Sequence, residues 1–255
     1  MRLTIKALGW TIVFLWIITL ALPISVTLSL MKLADGRNLS VQEPTFTLID
    51  GNLSLTVPIY INNTGLYDIS DVYVKIKIFK ADTLIAALSK SLPDIPAGQI
   101  VNTSFVTATS LKDIFQRTPT LLNEDTNLNL NAVLHFKVAR IITFNVAYNS
   151  SILWGAPFHN LTVYGVTYND TRHILSFHIS FNNNAAFSLK GSLTTELLNS
   201  NDETVGTALL VLDVPPRGAY HEIVEVFVDP SEMTDEVLIR LFFADLKIFE
   251  RWASP

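Results

Sequence analysis

Not one cysteine occurs among the 255 residues. Disulfide frameworks, thiolate nucleophiles and cysteine-bound zinc or iron–sulfur centres are therefore excluded, so any domain the chain forms must be held by its core. Charge is also scarce: Asp, Glu, Lys and Arg make up 16% of the chain, and the net charge is −5. That acidic balance argues against nucleic acid as a partner. HExxH, GxSxG, P-loop and GxGxxG patterns are missing, which removes the sequence basis for the common hydrolase and nucleotide sites. The histidines His135, His159, His173, His178 and His221 are dispersed, and His173 and His178 fall on opposite faces of an expected strand. Asp50, Asp68, Asp71 and Asn62 supply oxygens, but without the ordered acidic spacing of a calcium loop they read as turn caps. The expectation is a chain with no enzymatic activity, no cofactor and no metal.

Hydrophobic residues, by contrast, reach 49%. Part of that excess lies in residues 7–30, ALGWTIVFLWIITLALPISVTLSL, which carry no charge. As a helix at about 1.5 Å per residue this stretch spans roughly 36 Å, enough for a hydrocarbon core of about 30 Å. Pro23 is expected to kink it or mark its exit. Arg2 and Lys6 precede it, so the positive-inside rule places the N-terminus in the cytoplasm and the rest outside, as a single-pass protein of the cell membrane. Two other readings compete. One is a signal peptide cleaved after Thr19-Leu20-Ala21; the other is a pilin-type leader processed before Leu8, since Lys6-Ala7-Leu8 resembles an archaeal prepilin peptidase site.

Beyond this segment, Asn38, Asn52, Asn62, Asn102, Asn149, Asn160 and Asn169 each open an Asn-x-Ser/Thr sequon, making them candidate N-glycosylation sites on the outward side. The same region repeats itself. LSLTVPIYINN (53–63) and HILSFHISFNN (173–183) both alternate apolar and polar residues and both end in asparagine. Leu92-Pro93-Asp94-Ile95-Pro96-Ala97-Gly98 matches Leu212-Asp213-Val214-Pro215-Pro216-Arg217-Gly218, again 120 positions apart. Pro-x-Gly there predicts a turn with Gly in the positive-φ position. A short helix with Ser110 as N-cap is expected in the first copy only.

Period-two alternation, about seven strands per copy and frequent turn signals predict an all-β fold: two tandem antiparallel immunoglobulin-like β-sandwiches preceded by one N-terminal transmembrane helix. The expected divisions are an anchor at 1–33, a polar stem at 34–43, a first sandwich at 44–148, a junction at 149–158 and a second sandwich at 159–255. Pro58 is expected on an edge strand.

The asparagine-terminated strand, the Asn62-Asn63-Thr64-Gly65 turn, the DISDVYVKI strand and the IPAG turn together resemble immunoglobulin-like modules of archaeal and bacterial surface proteins. The CARDB type and the related late-embryogenesis-abundant (WHy) type are the families they are similar to. The latter prefers Asn-Pro where this chain has Asn62-Asn63 and Asn182-Asn183. The resemblance implies binding, spacing or membrane-proximal scaffolding without catalysis.

The aromatics at the junction, Trp154 and Phe158 with Tyr164 and Tyr168, read either as packing between the two domains or as a contact surface; with Leu238, Phe242 and Trp252 of the last strands they form the candidate partner surface. The expected partners are the lipid bilayer, through residues 7–30, and an envelope or membrane protein, with homo-oligomerisation also open. The leading function is a membrane-anchored binding or scaffold protein of the cell envelope. A pilin-like or archaellum-type filament or motor subunit, and a lipid-associated stress protein, are the alternatives.

Overall fold

A computed structural model describes residues 2–34, 38–49 and 51–255. Asp50, weighed above as a calcium ligand, and positions 35–37 of the expected stem lie outside the described residues. The chain opens with helix α1, Arg2–Ala34, with Pro23 inside it. Three of its hydroxyls are satisfied within the helix: Thr11, Thr19 and Thr27 donate to the carbonyls of Ala7, Leu15 and Pro23. Everything else is mostly antiparallel β-structure.

The strands are β1 (Leu39–Val41), β2 (Thr45–Ile49), β3 (Asn52–Asn62), β4 (Ile69–Lys80), β5 (Thr83–Ser91), β6 (Ile100–Ser110), β7 (Thr126–Val138) and β8 (Ile142–Trp154). They are followed by β9 (His159–Asn169), β10 (Ile174–Asn183), β11 (Leu189–Leu198), β12 (Thr204–Val214), β13 (Gly218–Phe227), β14 (Val237–Phe243) and β15 (Leu246–Ala253). In the first repeat β3 lies between β6 and an edge shared by β1 and β2, while the other sheet runs β5-β4-β7-β8. In the second the corresponding sheets run β13-β10-β9 and β12-β11-β14-β15. The order is the same in both copies, apart from the added β1.

The alternation places side chains as expected. Leu55, Val57, Ile59 and Ile61 of β3, and Leu175, Phe177, Ile179 and Phe181 of β10, are buried, and the core is continuous from Val26 of α1 to Phe243. Between β6 and β7 lies α2 (Leu111–Arg117), whose Ser110 makes no side-chain cap. Its first amide instead donates to Gly51 O.

Pro58 is not on an edge. It pairs with Ser104 of β6, and on its other side its carbonyl accepts the Gln42 N–H in the interval between β1 and β2. Backbone N–H and C=O of one strand residue point the same way, so the missing donor falls in that interval and costs no ladder bond.

Among the buried polar residues, one asparagine recurs at the same place in each copy. Asn63 and Asn183, 120 positions apart, end β3 and β10 with side chains 2% and 0% exposed. The Asn63 amide donates to Tyr67 O at 3.0 Å and Ile95 O at 2.9 Å, and its Oδ1 accepts the Gly65 N–H. The Asn183 amide donates to Phe187 O at 2.9 Å, Val214 O at 3.2 Å and Pro215 O at 3.0 Å, and its Oδ1 accepts the Ala185 N–H. Each asparagine thus clamps its own turn to the proline-containing turn between the two sheets. The partners Gly65/Ala185, Tyr67/Phe187 and Ile95/Pro215 all keep the 120-residue offset. In the first proline turn Gly98 takes the positive φ (78°), as expected, but in the second Arg217 does (57°). Gly218 is required there for a different reason: a Cβ would sit 3.0 Å from Pro215 O and 2.9 Å from its ring.

Two expected boundaries shift. Residues 39–41 of the stem form β1, paired with Ile59, Tyr60 and Ile61. Residues 149–154 of the junction are the end of β8, paired with β7 as far as Thr126↔Trp154.

Replacing Asn183 by Ala orphans buried carbonyls in the second repeat, and the expected loss of stability is about 3 kcal/mol. Asn182→Ala, next door but exposed, is expected to change little. Denaturant unfolding of the detergent-solubilised chain compares the two.

Candidate functional site

The two repeats meet through the end of β8, and the contacts are specific. Trp154 donates its indole N–H to Leu121 O at 2.8 Å, and its ring lies 5.8 Å from Phe46 and 5.9 Å from Phe187. Phe158 lies 5.0 Å from Phe181 and 5.3 Å from Phe243, and its N–H donates to Leu122 O. Asp125, just before β7, accepts the Ala156 N–H on Oδ1 and the Asn184 amide on Oδ2, both at 2.8 Å. His159 Nδ1 stands 3.8 Å from the same carboxylate, buried and without a hydrogen bond. Gly155 is a contact point: a Cβ there would fall 1.8 Å from Asn184 O.

These contacts correct part of the expected partner surface. Trp154 and Phe158 are 3% and 1% exposed, because the same chain covers them, Phe46 and Phe187 at Trp154 and Phe181 and Phe243 at Phe158. Leu238 is 4% exposed, between Leu198 of β11 and Trp252 of β15, instead of facing outward. Phe242 is half-buried and Trp252 is exposed. Beside Trp252 runs a small ionic cluster, Arg240–Glu250–Lys247, with contacts of 2.7 and 2.8 Å. The Lys247 and Arg240 hydrogen bonds hold the Glu250 carboxyl below its ordinary acidity range.

Against the junction lies an open cleft of about 660 Å³, lined among others by Glu43, Phe46, Asp125, Tyr148, Asn184 and Arg217. It offers two carboxylates, one guanidinium and aromatic walls, a composition suited to holding a polar loop or side chain of a partner. Among the described residues no group of three His, Cys, Asp or Glu is placed to hold a metal ion. Of the aspartates weighed as calcium ligands, the two among the described residues are otherwise engaged. Asp68 accepts the Ala97 N–H, and Asp71 pairs with Lys137 at 2.7 Å, which lowers its pKa. Tyr220, by contrast, has its pKa raised by burial and then by Glu222. His173 precedes β10 in a turn, and His178 stacks on Tyr164 at 5.1 Å.

Helix α1 makes a second junction. Ser25 Oγ is 2.7 Å from the Tyr67 hydroxyl, Ser29 Oγ accepts the Leu66 N–H at 2.8 Å, and Val26 and Leu33 are buried. A Cβ on Gly65 would lie 3.1 Å from Ser29 Cβ, so glycine admits the helix there. Asn38 donates to Lys32 O and accepts from Asn62 Nδ2 at 2.9 Å. The sequons therefore divide. Asn52, Asn102, Asn149, Asn160 and Asn169 are exposed, whereas Asn38 and Asn62 are half-buried and use their side-chain amides internally.

No family model and no curated protein matches the sequence. Among solved structures it is similar to the red sea bream transglutaminase, at 15% identity over 85% of this chain and 30% of that one, with a TM-score of 0.34. It is also similar to a glycoside hydrolase family 2 β-glucuronidase, at 11% identity over 77% of this chain and 23% of that one, with a TM-score of 0.32. The periplasmic chaperone SfaE gives 10% identity, 84% and 97% coverage, and a TM-score of 0.29. The chain thus spans less than a third of either enzyme, and none of these likenesses bears on activity.

Asp125→Ala frees two donors at the repeat junction, and Gly155→Ala forces Asn184 away. Both are expected to let water reach Trp154 while the strands persist. The check is a red shift of tryptophan emission with unchanged far-ultraviolet circular dichroism, larger for Gly155→Ala.

Proposed function

We propose that the chain is a membrane-anchored, outward-facing binding or scaffold protein of the cell envelope, with two immunoglobulin-like β-sandwiches presented to a protein partner. The observation that carries this reading is the division of α1. Residues 6–21 are exposed on every side although almost wholly apolar, whereas Val26, Ser29 and Leu33 pack on the β-body. An apolar cylinder of this kind is stable in hydrocarbon and costly in water. The internally bonded threonine hydroxyls support the same environment, since lipid offers them no partner. Arg2 and Lys6 favour a cytoplasmic N-terminus, which leaves the β-repeats and the exposed sequons outside.

The sandwich reading is supported by paired antiparallel sheets, of four and four strands in the first repeat and three and four in the second, in one order apart from β1 and around apolar faces. The resemblance to CARDB and WHy modules adds its implied role in spacing and binding. The surface best placed for a partner is the interdomain cleft, together with exposed Trp252 at the far end. Catalysis has no support in the arrangement of side chains.

A filament subunit is the second reading, because the same exposed helix would also pack among copies of itself. Intact mass and N-terminal sequence of the protein from its native membranes separate the readings. The anchored form is expected to start at Met1 or Arg2 and to resist alkaline extraction from membranes. A start at Leu8 would favour the filament. A start after Ala21 would indicate a released protein that keeps the helix residues docked at 25–33.

A further inference from the structure

The contacts between α1 and the first repeat fix where the repeat sits along the helix, and therefore along the membrane normal. No charged residue occurs between Lys6 and Lys32. At 1.5 Å per residue these two ammonium groups are separated by about 39 Å of helix, close to the roughly 40–45 Å between the headgroup layers of a bilayer. With both lysines at headgroup level, Ser29 lies about 4.5 Å and Ser25 about 10 Å deeper than Lys32. Those are the residues that hold the 64–67 turn, through the Leu66 N–H and the Tyr67 hydroxyl. The face of α1 away from the repeat remains apolar and exposed at this depth, through Ile24, Leu28 and Met31.

Leu66 itself is 59% exposed. In the neighbouring turn between β7 and β8, tied to the first by the Ala139 N–H donating to Asp68 O, Ile141 is 70% exposed. Of the charges at this end, Arg140 faces Asp94 at 3.6 Å and Lys137 faces Asp71 at 2.7 Å, while the exposed Asp68 carboxylate accepts the Ala97 N–H. Two of the three carboxylates near the apolar tips are thus held in ion pairs, which limits the negative charge facing a lipid surface.

We propose that this end of the first repeat, with Leu66 at its tip and Ile141 beside it, inserts into the lipid interface next to the emerging helix. The inference rests on the anchored reading above. Helix and repeat then contact the bilayer together, and the stack of repeats stands at a set angle instead of swinging on a stem. The contact is apolar, so it does not require anionic lipid.

The absence of cysteine makes the test direct. Single cysteines replace Leu66, Ile141, Ile17 and Lys75 in the full-length chain, each carrying an environment-sensitive fluorophore after reconstitution into phosphatidylcholine vesicles. Quenching by shallow doxyl-labelled phosphatidylcholine is compared with quenching by aqueous iodide, and intact folding is checked by far-ultraviolet circular dichroism. The expected result at Leu66 and Ile141 is a blue shift, quenching from the lipid and loss of quenching by iodide, unchanged when phosphatidylserine is added. The Lys75 probe, on the exposed face of β4, is expected to behave oppositely. If the Ile17 probe is buried in lipid while the Leu66 and Ile141 probes respond to iodide alone, the insertion is refuted and the anchor stands. If the Ile17 probe also responds only to iodide, the anchored reading falls and the insertion with it.

Discussion

Two buried asparagine side chains, Asn63 and Asn183, hold the turns on which the rest of the molecule is assembled. An amide taken out of water without partners costs several kcal/mol, so a polar residue at these core positions is tolerable only if its bonds are all made. Here each amide donates to backbone carbonyls in two separate turns, and each Oδ1 accepts an N–H two residues on. A leucine would bury more apolar area, yet it would leave those carbonyls unpaired and the turn free to choose another path.

The clamped turn has the same use in both copies: it receives whatever precedes it in the chain. In the first repeat, Gly65, Leu66 and Tyr67 meet Ser25 and Ser29 of the helix. In the second, Asn184 and Phe187, at the positions equivalent to Thr64 and Tyr67, meet Asp125, Gly155 and Trp154 of the first repeat. Helix, first repeat and second repeat are thus joined in series through one recurring surface, each joint made by direct packing. This continuity is what the proposed scaffold role would require, since a partner surface at the far end would be carried at a defined height above a membrane anchor.

Much of this was legible in the residues. Alternation located the buried faces of β3 and β10, the charge-free stretch located α1, and the 120-residue offset located the duplication. What the residues left open was the assignment of neighbours. Trp154, Phe158 and Leu238 are apolar at positions where strand periodicity points outward or stops. Periodicity cannot tell cover supplied by the same chain from cover supplied by another. The asparagines read as turn residues, since Asn is common there; their burial depended on carbonyls 4 and about 32 residues away. A signal for them existed in their recurrence at one offset together with the proline turns they bind. Ser25 and Ser29, one turn apart in an otherwise apolar helix, likewise marked the docked face. Pro58 misled because an edge was the simplest place for a missing donor, and the interval between β1 and β2 is set by residues far from it in sequence.

The central claim, one continuous body from helix to second repeat, is open to a single measurement. Spin labels on cysteines introduced at Lys75 and Lys190, one on an exposed strand position of each repeat, report the separation of the repeats by pulsed electron resonance in lipid nanodiscs. One narrow distance distribution is predicted, the same for the full chain in detergent and in lipid. A broad or two-peaked distribution would contradict the account, since it would mean that the clamped turns order each repeat without joining them.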